Sequence, residues 1–541
     1  MPGTTTFAGT TNVNGGTLQV DGDIRASLLA NVAAGATLSG VGILPQTNVD
    51  GFVSPGVGGI GTLTVQGDLN MRAGSIYQLD IGPSGVSDLI NVNGAANLSG
   101  SGVNIVTPHP VFAGGSRYTI LTASGGVNGA FDNPVQRLPL VDLSLSYDPN
   151  NVYFNVTPNG STVTTVISQP QPGQATQPSG TQLSTATAVQ ALGPNSPVLG
   201  AVSVQPTIGA ITAALDQLSG QTYASLRSSF IDDSVFVRDA VDDRIRTAFA
   251  GRSPASGEAV PEERVAGRGS VWTHGFGSWT NRASTDYAAA LDGSIAGLFV
   301  GGDVILGNSF ALGALGGYSR SSFSIPNRNS SGRSDNYTLG LYAGGSFGRW
   351  NLTGGAAHTW HSISVDRAVI FPAFSDMLAA AYSAGTTQVF GDVGYEAQFG
   401  RFAIEPFVGA AWVNLSTAGF TERGGAAALS VAGANDSIGL TTVGLRAAVN
   451  FDLSDASHLT LRGMVGWRHA FGNLLPADSV AFVGAAPFSV TGLPISQDAA
   501  IVELGMDFKV TKATTLGISY RGQFGAGAMS NGVNGLFSVR F

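Results

Sequence analysis

The last residues, Met529 to Phe541, read MSNGVNGLFSVRF and end on an aromatic ring. In an extended strand, where side chains alternate, Val533, Gly535, Phe537, Val539 and Phe541 fall on one face. Ser530, Gly532, Asn534, Ser538 and Arg540 fall on the other, with Leu536 the one apolar residue among them. A strand with an oily face and a wet face at the very end of a sequence predicts a closing stave. In a bacterial outer-membrane barrel the last strand pairs with the first and so removes the sheet edges.

Composition narrows the way such a chain meets a membrane. Charged residues are only 11% and glycines number 76, which suits β architecture with crowded turns and small lumen-facing side chains. The sequence has no unbroken apolar run of about 18 residues, so any crossing is expected in strands and not in a helix. A length of 541 residues implies more than one domain. With no cysteine, disulfides, zinc thiolate sites and cysteine nucleophiles are excluded. A net charge of -9 argues against nucleic acid as a partner. The opening MPGTTTFAGTTNVNGG has neither the basic segment nor the apolar core of a signal peptide, so the true start of the protein is expected upstream.

Four regions follow one another. Residues 1–160 place short apolar runs between Gly, Asn and Asp, as in GGTLQVDG at 15–22 and GTLTVQGDLNM at 61–71, and predict a parallel β-helix of stacked rungs. Residues 161–207, rich in Ser, Thr, Pro and Gln, predict a flexible linker with too little apolar surface to fold. Residues 208–267 hold the long helical candidate, in which Leu226, Phe230, Val237, Val241, Ile245 and Phe249 recur at intervals of about four or seven. Gly220 is expected to interrupt it, and Arg238 with Asp242 and Asp242 with Arg246 are expected to pair along its solvent side. From Thr222 to Phe249 it would measure about 40 Å, enough to thread a membrane-thick pore, although the same periodicity fits a helix on a soluble core.

Residues 268–541 alternate throughout. In AIVELGMDFKV at 500–510, Val502, Leu504, Met506, Phe508 and Val510 oppose Glu503, Asp507 and Lys509, and TLGISYRGQF at 515–524 sets Arg521 opposite Leu516 and Ile518. Arg446 and Asp392 likewise stand on polar faces in the middle of apolar strands. About twelve such segments can be counted, at 270–280, 295–306, 309–324, 333–347, 350–364, 385–399, 401–416, 437–453, 457–471, 498–510, 513–524 and 530–541. An even number is what a single-chain bacterial barrel requires. Alternation alone would also fit a soluble β-sandwich.

In this order the regions resemble a type V autotransporter, in which one chain carries both a passenger and its own pore. ATLSGVG at 36–42, SPGVGGIGTLTVQGDL at 54–69, SDLINVNGAANLSGSGVNI at 87–105, RYTILTASGGVNGAFDN at 117–133 and LSLSYDPNNVYFNV at 143–156 look like the last rungs and autochaperone segment of a pertactin-like passenger. ALDQLSG at 214–220 and DDSVFVRDAVDDRIR at 232–246 resemble the segment that enters the barrel. The resemblance implies an all-β fold in four parts: an N-terminal parallel β-helix stalk, a linker, one long α-helix and a C-terminal 12-stranded antiparallel transmembrane β-barrel. It implies that Arg238, Asp239, Asp242, Asp243 and Arg246 lie in the lumen, and that Gly535, Phe537, Val539 and Phe541 form a signal for the barrel assembly machinery. The family usually has Gly five residues before the terminal Phe, where this chain has Leu536.

The resemblance further implies a monomeric barrel in outer-membrane lipid of a Gram-negative cell, attended by periplasmic chaperones. The passenger would be displayed at the cell surface and would meet host or surface ligands there. No cofactor, metal or catalytic residue is expected. GVGGIG at 56–61 precedes a strand-like run and reads as a turn, not a dinucleotide fingerprint, and His358 and His361 should face opposite ways in a strand. Neither GxSxG nor a similar serine block stands out, and the helix has no Asn for self-cleavage, so Asp232, Asp233, Asp242 and Asp243 read as charge partners of the lumen. Three functions stay open: a display anchor for an adhesin-type passenger, the stalk and pore of a protease or esterase passenger, and a solute porin with an appended β domain.

Overall fold

A computed structural model describes the chain except for residues 83–84, 108–114, 133–136, 171–176, 250–267, 308, 454–456 and 512. It divides into two units, Met1–Leu218 with Val369–Asp376, and Ser219–Ala368 with Met377–Phe541.

In the first unit short strands stack in parallel into three sheets, and each strand pairs with its counterpart one rung on. Leu29–Val32, Thr47–Val49, Leu69–Met71, Ala96–Ser99 and Val127–Ala130 form successive rungs of one of these sheets. Alternation decides the packing. Val32, Val49, Leu63, Leu98, Ile120 and Phe154 enter a single buried core, while the intervening residues stay outside. The expected parallel β-helix is therefore present. On its outer wall Asn31, Asn48, Asn70, Asn97 and Asn128 each donate a side-chain hydrogen bond to the Asn one rung below, starting from Asn12, at 2.7–3.0 Å. In another of the three sheets Asn151–Pro158 runs antiparallel to Ser116–Ala123, and Val141–Tyr147 runs antiparallel to Asn151–Pro158 and finishes that sheet.

The flexible linker is a correction. Within residues 161–207 the chain forms α1 (Val163–Ile167), α2 (Gly180–Ala191) and α3 (Pro197–Ser203), and these lead into α4 (Ile208–Leu218). The same Ser, Thr and Gln residues that suggested disorder act as caps. Thr162 with Thr165 and Ser179 with Gln182 make reciprocal capping boxes. Small apolar residues, Val163, Ala186, Val189, Val202 and Leu215 among them, are buried, so modest side chains at helical spacing suffice for a packed layer.

The second unit is a closed barrel. Its strands are β1 (Arg268–Arg282), β2 (Leu291–Leu306), β3 (Phe310–Ile325), β4 (Ser330–Phe347), β5 (Trp350–Phe371) and β6 (Phe374–Tyr395, continued as Ala397–Phe399). They continue as β7 (Phe402–Thr417), β8 (Ala434–Asp452), β9 (His458–Gly472), β10 (Asp498–Lys509), β11 (Thr514–Gly525) and β12 (Ala528–Arg540). These twelve staves form one sheet, closed where β12 pairs with β1 from Ser270–Arg540 to Arg282–Ala528. Each expected segment is found, but β5 and β6 run past 364 and begin before 385. Connections are short where β12 ends, as at 348–349, and the two longest, 418–433 and 473–497, lie at the other end. In bacterial barrels those ends face the periplasm and the outside respectively.

Barrel lumen and its helix

Gly220, at a φ of +68°, turns the chain out of α4 and begins a rod made of α5 (Gln221–Asp233) and α6 (Val235–Phe249). Ser234 between them keeps helical dihedrals, so the pair acts as one helix about 40 Å long. One face of α6 is apolar because Val237, Val241, Ile245 and Phe249 recur along it. It packs into a cluster with Trp272, Phe276, Phe299, Leu315 and Tyr342 of β1–β4. Phe236, Phe276 and Phe299 stack in series at centroid distances of 4.7 and 4.9 Å. Leu536 belongs to the same cluster, which explains the lone apolar residue on the polar face of the closing strand.

The other faces of the rod meet charge with charge. Arg244 bonds Asp303 of β2 through Nε at 2.5 Å and Nη2 at 2.7 Å, and donates to Ser538 Oγ at 2.9 Å. Tyr342 donates to the same Asp303 carboxylate at 2.8 Å and accepts from Trp272 Nε1 at 2.6 Å. Asp243 pairs with Arg246 at 2.8 Å and Arg462 at 2.9 Å and lies 3.3 Å from His274 Nε2. Asp239 is bound by Arg521, and Asp232 by both Arg282 and Arg468. Arg446 answers Asp392 at 2.9 Å and Glu405 at 2.7 Å, and stands 3.8 Å from Asp242.

All five helix residues singled out from the sequence therefore face the barrel wall or the space beside it. The pairing expected along the helix is not what forms. Among the described residues no ion pair joins Arg238 to Asp242 or Asp242 to Arg246. Arg238 instead donates to Gln388 Oε1 at 2.7 Å, and Asp242 turns toward Arg446. For Arg238 and Asp242 partners on the wall replace partners one turn away, and the pair that does form along α6, Asp243 with Arg246, is shared with Arg462 of the wall. Periodicity gave no signal for Arg244 with Asp303, since the pairing depends on register between distant elements. A cavity of about 80 Å³ remains beside α6, lined by Asp239, Asp242, Arg446, Glu503 and Arg521 among others. Ionisable groups confined in this way face the interior because a lipid-facing charge is costly.

The closing strand matches its reading. Phe537 and Phe541 are exposed on the outer wall with Gly535, and Val539 is half-buried there. Phe541 N–H donates to Gly269 O at 3.0 Å, which ties the terminus to the first stave. The other motifs resolve as turn and sheet. GVGGIG leads into the strand Thr62–Val65. His361 is buried between Asn336 and Thr386, while His358 points the other way to Thr387.

Residues 271–521 match the autotransporter beta-domain family. Over the whole chain, two extracellular serine proteases of Serratia marcescens are 30% and 29% identical. Each alignment covers 100% of this chain and 54% of the relative, so the chain spans about half the length of these relatives. Among solved structures, the translocator domain of NalP from Neisseria meningitidis covers 58% of this chain and 98% of itself at 15% identity and a TM-score of 0.42. The transport unit of AIDA-I from Escherichia coli covers 52% and 93% at 16% identity and a TM-score of 0.39. With that family match on twelve closed staves, the chain carries an autotransporter β-domain, through which it is embedded in the outer membrane of a Gram-negative bacterium.

Proposed function

We propose that this barrel exports the segment N-terminal to α5 and displays it at the cell surface. The observation that carries the reading is the match between wall and helix. Arg446, Arg462, Arg468 and Arg521 of the staves meet Asp242, Asp243, Asp232 and Asp239 of the rod, so the lumen is shaped for this segment of its own chain. The rod begins among the long loops and leads toward the end where the connections are short. That is the path expected of a chain whose N-terminal part has already crossed.

In this reading the segment at 61–156 serves as the folding template of the stalk, because it leaves the pore before more distal rungs. Folding of each rung buries apolar surface at about 25 cal/mol per Å², a driving force that needs no nucleotide. Residues 1–541 contribute transport and display, with catalysis left to a passenger continuous with the stalk. The serine-protease names of the two Serratia relatives favour an enzymatic passenger over an adhesin. The outward Gly535, Phe537, Val539 and Phe541 serve as the recognition strand for the assembly machinery, with periplasmic chaperones guarding the chain beforehand and the barrel working as a monomer. The test is protease treatment of intact cells expressing the full chain, beside a version truncated after Phe249. Residues 1–160 should be reached from outside only when the barrel is present. Digestion that requires cell lysis in both cases would refute export.

A further inference from the structure

Two long loops, 418–433 between β7 and β8 and 473–497 between β9 and β10, belong to no stave. They contribute Phe420–Thr421, Leu429–Val431, Ala477–Phe482 and Phe488–Thr491 to a separate four-stranded sheet in that spatial order. The two loops are joined where Leu429–Val431 pairs with Val480–Phe482. Leu429, Val431, Val480, Phe482 and Val490 are buried within this assembly.

The sheet and its flanks grip α5. Leu493 N–H donates to Ser225 Oγ at 3.1 Å, and Ser228 Oγ donates to Leu493 O at 2.5 Å. Gly492 lies so close that an added Cβ would stand 2.3 Å from the carbonyl carbon of Ala224. Tyr223 donates to Glu422 Oε1 at 2.5 Å, and that carboxylate is also held by Arg367 at 2.6 and 2.8 Å. Arg227 enters between the 473–497 loop and the first residues of β8. It donates through Nε to Asp436 Oδ2 at 2.7 Å and through Nη1 to Ala477 O at 2.9 Å, and it also binds the Asp478 carboxylate.

The two clusters differ in where the cation comes from. Glu422 is answered by Arg367 of β5, which stays in the wall whatever occupies the pore. Asp436 and Asp478 are both buried, and among the described residues Arg227 is the only basic side chain within 4.0 Å of either. When α5 is elsewhere, these two carboxylates face one another without a counterion, close enough that a single guanidinium spans them. Uncompensated like charges held close together are unfavourable, and lifting the 473–497 loop off β8 relieves them.

We infer that the 473–497 loop, with the 418–433 strands paired to it, forms a clasp that stands open while other segments occupy the pore and closes when Arg227 arrives between Asp436 of β8 and Asp478. Arg227 is thus a positioning residue that reports the end of transit, an inference that rests on the export reading above. The test follows thermolysin cleavage within 473–497 in intact cells expressing the full chain. Arg227→Met should raise the cleavage rate about tenfold or more, because cleavage tracks the open population. Adding Asp436→Asn and Asp478→Asn to Arg227→Met should bring the rate back to within about twofold of the parent, since the repulsion is gone. Arg227→Lys, which keeps the charge, should remain closer to the parent than Arg227→Met. The same cells are scored for surface display of residues 1–160 and for a folded, heat-modifiable barrel. Protection unchanged in Arg227→Met, or a triple variant cleaved as fast as Arg227→Met, overturns the clasp even where display is normal. Loss of display in the parent chain would instead refute the export reading.

Discussion

Arg244 of the lumen helix and Asp303 of the second stave meet side-on, Nε to Oδ2 at 2.5 Å and Nη2 to Oδ1 at 2.7 Å, and both side chains are almost fully buried. The contact fixes the rotation of α6, because the same guanidinium also reaches Ser538 on the closing strand. Removing one partner of a buried pair leaves a charge without compensation and typically costs about 3–5 kcal/mol. Asp303→Ala should therefore loosen the helix while the staves still close. Single-channel recordings should show higher or noisier conductance than the parent, with heat-modifiable mobility retained. Conductance equal to the parent would mean that the pair does not hold the helix.

Leu536 and Phe541 sit on the same stave and should separate two effects. Leu536→Ala removes apolar bulk from the cluster shared with α6, and large-to-small changes in cores cost about 2–5 kcal/mol. Its expected phenotype is a leakier pore at normal assembly yield. Deleting Phe541 takes away the outward ring and the bond to Gly269, and should lower assembly yield without changing synthesis. Quantifying folded barrel in outer-membrane fractions distinguishes them, and equal yield for the deletion and the parent would contradict the signal assigned to the terminus.

The asparagine ladder on the stalk makes a positional prediction. Asn70 donates to Asn48 and accepts from Asn97, so Asn70→Ala breaks two side-chain bonds in the middle of the ladder. At about 0.5–1.5 kcal/mol per bond, the loss should be roughly 1–3 kcal/mol. Asn128→Ala, which removes one rung contact, to Asn97, should cost less. Urea midpoints of the full chain, followed by protease resistance of residues 1–160, give the comparison.

Asp88 predicts how the stalk responds to pH. It is fully buried and accepts hydrogen bonds from Gly61 N–H at 2.8 Å and Asp80 N–H at 2.9 Å. Burial raises its carboxyl to about 7, outweighing those two donors, and the nearby Asp80 adds to the rise. The folded stalk therefore holds a proton between about pH 4 and pH 7 that the unfolded chain releases, so stability from this group is complete below about pH 4 and falls as pH climbs toward 7. The full effect is at most about 4 kcal/mol. Stalk unfolding midpoints should decline across that window, and Asp88→Asn, neutral throughout, should show a flatter slope.

Much of this architecture is legible because side-chain alternation is a local property. The twelve staves and the polar faces that hold Arg446, Asp392, Glu503 and Arg521 follow from period two, and the closing role of 530–541 follows from its alternation together with its terminal place and aromatic end. The early start of β6 leaves little trace in the sequence because MLAAAYSAG at 377–385 offers small and apolar residues on both faces, so alternation fades there. The helices of 161–207 are invisible to composition, which registers only a polar run, whereas their caps depend on position. Ser179 and Gln182 are three apart, which is a cap and not merely a polar run. The loop sheet and the pairs Arg227–Asp436 and Arg244–Asp303 join residues far apart in sequence, and no local pattern marks them.

Export through the barrel is tested most directly by cysteine labelling, because the chain has no cysteine of its own. Leu28, exposed on the stalk, and Arg349, in a short turn at the opposite end of the barrel from the long loops, are each replaced by Cys in the full chain. A membrane-impermeant maleimide is then applied to intact cells. The account predicts that Leu28→Cys labels as fully in intact cells as in lysed ones, while Arg349→Cys labels only after the outer membrane is opened. Labelling of Leu28→Cys that also waits for permeabilisation would contradict it.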